Sequence, residues 1–163
     1  MTRAILLVSL SLTSLGAIAG STLEEVNATF RCDGSPIHPF LIAEFTDFFE
    51  AQDPFVGMSV ALGSTPRGSA DQNIPIQIED AWIRANEPKD PYGVRRSGFM
   101  VYRWLGKLGT DIHVVQAANN TGGSGLFMDL LFVQFAEQSN LERASEDAEE
   151  PALVMTLVGA YSL

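Results

Sequence analysis

From Met58 to Tyr161 most of the chain alternates apolar and polar residues with a period of two, the spacing of half-buried strands. Met58, Val60 and Leu62 share one face before the Gly- and Pro-bearing stretch 63–68 breaks the pattern. Ile74, Ile76, Ile78 and Trp82 form a longer stripe with Asp80 on the same parity, so one strand is predicted over 74–82. Residues 99–105 are apolar on both faces, as in a central strand, and 112–117 follow a Gly109-Thr110-Asp111 turn. Residues 126–135 are read as a buried strand after a Gly-rich turn, and 153–161 as a strongly apolar final strand. Near the N-terminus, Val26, Ala28, Phe30 and Cys32 share a parity and predict a further strand.

One segment departs from this period. Pro39 suits a first helical turn, and Leu41, Ile42, Phe45, Phe48 and Phe49 recur at helical spacing with Glu44, Asp47 and Glu50 opposite. An amphipathic helix over 39–52, packed on a sheet by its apolar face, is the expectation. With six or seven strands at these spacings, the fold class is mainly β: an antiparallel β-sandwich or flattened barrel carrying one amphipathic α-helix near the N-terminus. No repeat or linker divides residues 20–163, which read as a single domain.

Residues 1–19 stand apart. Arg3 precedes an apolar run diluted by Ser and Thr that ends in Ala17-Ile18-Ala19, the form of a cleaved secretory signal. The run is shorter than the roughly 20 residues that span a bilayer, and no later stretch is long enough, so no transmembrane segment is expected after cleavage. Export to a periplasmic or extracellular location follows. Beyond the leader there are nine basic and twenty acidic residues, a formal charge of −11. Such a charge repels nucleic acid and anionic surfaces, leaving a neutral or cationic ligand or protein as the expected partner. The lone Cys32 excludes an internal disulfide, and its register marks it as a buried, inert thiol.

Candidate chemistry is sparse. The loop 118–125 joins Asn119, Asn120 and Thr121 to Gly122, Gly123, Ser124 and Gly125. Such glycines let backbone amides approach a ligand, and the Asn and Thr side chains read hydroxyls or amides, although a plain turn demands the same residues. The binding surface favoured is Asn119, Asn120, Thr121 and Ser124, with His113 and the Trp104 strand as neighbours. Ser124 lacks the last glycine of a Gly-x-Ser-x-Gly elbow, so a hydrolase using His113 with Ser124 or a carboxylate is an alternative. A carrier of small apolar ligands, its helix closing a curved sheet, is another. His38 and His113 could meet Asp80 or Asp111 at a metal, but they lack local ligand spacing, and the acids of 137–151 lack the calcium-loop pattern; no metal and no cofactor are assigned. Asp80, if it pointed inward, would need Arg84 as partner or a bulge to turn it out. Asn27-Ala28-Thr29 and Asn119-Asn120-Thr121 are glycosylation sequons of meaning only in a eukaryotic secretory route. The leading function is a non-catalytic extracytoplasmic binding or structural module that uses the Gly/Asn-rich loop.

Overall fold

The computed structural model describes residues 21–46, 57–63, 74–87, 98–120, 122, 125–138 and 152–163. The secretory leader read over 1–19 and the acidic residues 139–151 lie outside these, as do Phe48 and Phe49.

Thr22 opens the first element: its hydroxyl accepts the Glu25 amide at 3.2 Å and caps helix α1 (Leu23–Thr29). Val26 and Phe30 are buried one turn apart, and Phe30 ends the helix in the left-handed region at φ 54°. This overturns the strand expected from Val26, Ala28, Phe30 and Cys32. A spacing of four satisfies both the helical and the strand period, and the Thr22-x-x-Glu25 cap decides between them. Arg31–Cys32 (β1) and Ser35–Pro36 (β2) then form a short ribbon, turned by Asp33 and Gly34 at φ 51° and 69°. The Cys32 thiol is free. Helix α2 (Pro39–Thr46) starts where the amide of Phe40 donates to His38 Nδ1 at 3.2 Å, so the histidine acts as the cap.

The remaining strands make one antiparallel sheet rather than a two-sheet sandwich. They are β3 (Ser59–Ala61), β4 (Ile76–Glu79), β5 (Trp82–Asn86), β6 (Phe99–Leu108), β7 (Ile112–Asn120), β8 (Phe127–Gln138) and β9 (Ala152–Ser162). The order β3-β9-β8-β7-β6-β5-β4 is a meander from β4 to β9 with β3 added at the far edge. The sheet curls into a half-barrel. Extra residues at Leu105 in β6 and Val158 in β9 break the ladder locally, and such bulges increase twist and bending.

Helices and sheet meet over the inner face. Val26, Phe30, Ile37, Leu41, Ile42 and Phe45 pack there against Met100, Tyr102, Val115, Ala117, Leu131, Val133 and Met155. Each buried Val, Leu, Ile, Phe or Met side chain of this set contributes about 1.5–3 kcal/mol by leaving water. The Tyr102 hydroxyl donates to the Ile37 carbonyl at 2.6 Å and ties the segment before α2 to the sheet. Cross-strand register separates the two faces. Ile83, Tyr102, Ala117 and Asp129 align in an inner row, while Arg84, Val101, Ala118 and Met128 align in an outer one.

Two further boundaries differ from expectation. The stripe over 74–82 is a hairpin, with Glu79 opposite Trp82 and Asp80 at φ 55° in the two-residue turn. Trp82 therefore shares the face of Glu79 rather than that of Ile76 and Ile78. Strand β7 continues through Asn120, because residues 118–120 pair with β6 and 118–119 with β8. That leaves a shorter β7–β8 loop than the sequence suggests.

Candidate functional site

Of the residues singled out for binding, Asn119, Asn120 and His113 are described, and these three are set apart from one another. Asn119 points inward from β7: it is buried, and its Nδ2 donates to Thr46 Oγ1 of α2 at 3.1 Å. Asn120 faces the other way and closes the loop, donating to the Gly125 carbonyl at 2.8 Å and accepting the Gly122 amide at 2.8 Å. Thr121 and Ser124 lie outside the described residues. His113 sits near the opposite end of β7, seven residues from Asn120, a span of roughly 23 Å at the rise of a strand. It thus belongs to a different locality from the loop.

His113 is fully buried among Phe30, Trp104 and Phe135, with ring centroids 5.3, 5.9 and 4.9 Å away. Its Nε2 lies 3.2 Å from the side-chain oxygen of Asn27 in α1, an acceptor, so Nε2 carries the proton. Burial lowers its pKa to about 4, with nearby Lys107 pushing the same way and Asp111 opposing. His113 Nδ1 and Trp104 Nε1 are buried without hydrogen-bond partners among the described residues. His38 Nε2 contacts the Ile74 carbonyl at 3.4 Å, and desolvation lowers this ring's pKa also. Burial raises the pKa of the Cys32 thiol, the reverse of nucleophile activation. Asp80 is exposed in its turn and needs neither Arg84 nor a bulge. No group of three His, Cys, Asp or Glu side chains among the described residues is disposed to hold a metal ion.

A different site is built on the outer face. There a groove of about 270 Å³ is lined by Trp82, Phe99, Val101, Ala118, Leu126 and Met128. Arg84 and Glu79 complete its wall. Its floor belongs to paired strands β5 to β8, and Leu126 follows directly on the Gly-rich loop, being 55% exposed. The guanidinium of Arg84 stacks on Phe99, 4.1 Å from the ring centroid, and its Nε donates to Asn86 Oδ1 at 2.9 Å. Arg103 repeats the arrangement on Trp82, at 4.7 Å, with Nε donating to Gln116 Oε1 at 2.8 Å. Ring face and amide together fix each guanidinium plane. Neither arginine has a carboxylate partner among the described residues.

The sequence carries a signal for this group that the single-strand reading of 74–82 hid. Trp82, Arg84 and Asn86 alternate along β5, and Phe99, Val101 and Arg103 along β6, so all six share one face once the hairpin is recognised.

A second groove, of about 340 Å³, opens on the inner side between Phe30, Ile78, Ile83 and Trp104, with Arg31 and Asp80 at its rim. Phe30 and Trp104 are parallel within 7° at 6.0 Å, and their contact joins α1 to the sheet. Among the described residues no helix is long and apolar enough to cross a membrane. Comparison with known proteins finds no matching family model, no matching curated protein and no matching solved structure.

Proposed function

We propose that this chain is a non-catalytic, exported binding module that seats a small, largely apolar ligand in the outer-face groove beside the Gly-rich loop. The observation that carries the reading is the groove itself: aromatic and aliphatic side chains on paired central strands, facing away from the helices, with exposed Leu126 at its lip. Binding pockets are concave, mainly apolar and supplied with a few oriented polar groups. The volume lies near the lower end of the usual range, which suits a single ring or a short chain rather than a polymer. The reading keeps the Gly/Asn-rich loop as a neighbour of the site and moves the contacts to the strands at its base.

The hydrolase alternative lacks comparable support. The ring of His113 is enclosed by aromatic side chains and bonded to Asn27, at the other end of β7 from the loop. A general base must reach the proton it removes.

Calorimetric titration with 1-octanol tests the proposal. Saturable one-site binding is expected, abolished by Leu126→Asp, which puts a charge at the groove lip on a side chain that is already exposed. Absence of binding to the unaltered protein, or equal binding by the variant, would exclude this groove as the seat.

A further inference from the structure

Arg84 and Arg103 are unusual within a chain of net charge −10. A surface guanidinium in so acidic a protein has many potential carboxylate partners, yet these two are held by neutral groups. Each lies on an aromatic ring and is fixed through Nε to an amide oxygen of Asn86 or Gln116. The Nη1 and Nη2 donors of both have no partner among the described residues. Their side chains are oriented before any anion arrives, which reduces the ordering cost of binding one. The register places Arg84 opposite Val101 and Asn86 opposite Phe99, so the Arg84 guanidinium, over Phe99 and bonded to Asn86, leans away from the Arg103 side of its row. Arg84 is itself part of the groove wall.

We infer that the groove selects an amphipathic monocarboxylate, its apolar chain lying over Val101, Ala118 and Met128 and its carboxylate held by the Nη donors of Arg84. The inference rests on the groove being the ligand seat. A planar fork matches a carboxylate with two parallel hydrogen bonds, a geometry that an ammonium cannot reproduce. Glu79, on the same wall, sets the other limit. Its negative charge and that of the whole chain oppose a phosphate or dicarboxylate more than a single carboxylate. The apolar floor in turn gives little to a fully polar anion such as acetate. A short fatty acid or an aromatic acid satisfies both conditions, as a free small molecule.

The test compares octanoate, 1-octanol, octylamine and octyl phosphate by calorimetry at pH 7.5 and low salt. Octanoate is expected to bind about tenfold more tightly than octanol, the increment of one charge-assisted contact. Arg84→Gln should weaken octanoate about tenfold and octanol by much less, so that the preference for the acid is lost, and Arg84→Lys should recover only part of that preference. Circular dichroism of each variant, together with its urea midpoint, reports that the fold is intact. Equal binding of octanoate and octanol to the unaltered protein would overturn the carboxylate inference and leave the groove reading standing. Tighter binding of octylamine would overturn it in favour of Glu79 as the anchor, and tighter binding of octyl phosphate would overturn the monoanion limit. Failure of octanol to bind the unaltered protein, whatever the charged ligands do, would remove the groove reading itself.

Discussion

At the scale of single residues, His113 shows how burial decides a side chain's role. Three aromatic rings exclude water from it, and its neutral form is favoured, with the pKa lowered to about 4. The folded value lies below the ordinary 6.5, so unfolding takes up a proton between the two. Stability contributed by neutral His113 is complete above about pH 6.5 and is lost as pH falls toward 4. Between pH 7.5 and 4.5 that loss is on the order of 2 kcal/mol. Urea titrations at the two pH values should show a smaller difference for His113→Leu than for the unaltered protein; an equal difference would place the acid sensitivity elsewhere. His38, lowered by desolvation in the same direction, adds to the residual slope. Asn119 makes a second point. Its Nδ2, the atom that an N-linked glycan would occupy, donates inward to Thr46. Material made in a eukaryotic secretory host and recovered folded should therefore carry no glycan at Asn119, as peptide mass spectrometry would report.

Elements came through the sequence unevenly, and the reasons are local. Strands β6, β8 and β9 were legible because long apolar runs bounded by turns have few other readings. The first element was not. Val26 and Phe30 are as compatible with one helical turn as with alternate strand positions, and only the cap at Thr22 separates the two. The β4–β5 hairpin was hidden because Asp80 takes a left-handed conformation without a following glycine, so the usual Asp-Gly turn signal is missing. His113 and the Asn-rich loop looked like neighbours in sequence, but an extended β7 holds them at opposite ends. If the cap is what commits residues 23–29 to a helix, Thr22→Ala should cost about 1 kcal/mol. The readout is the urea midpoint at constant m-value, and Thr22→Asp should retain most of the stability. Loss of stability equal to that of the alanine variant would show that the hydroxyl contact is not the cause.

On the scale of the whole molecule, the two faces of the sheet differ. Its inner face is occupied by α1, the β1–β2 ribbon and α2, which supply the buried core. Its outer face carries two ring-stacked arginines and a groove lined from β4, β5, β6, β7 and β8 and by Leu126 just before β8. The buried core and the proposed ligand groove thus lie on opposite sides of the same strands, so a change on one face need not disturb the other. The alternating period that made the strands legible also contained this division, while the face that carries Trp82 and Arg84 depended on the hairpin register. Amide chemical-shift mapping during titration with octanoate measures the division directly. The account predicts that shifts concentrate at Arg84, Val101, Ala118 and Met128, with Val115, His113 and Ile37 unmoved. Shifts centred on Phe30, Ile83 and Trp104, on the inner side, would contradict it.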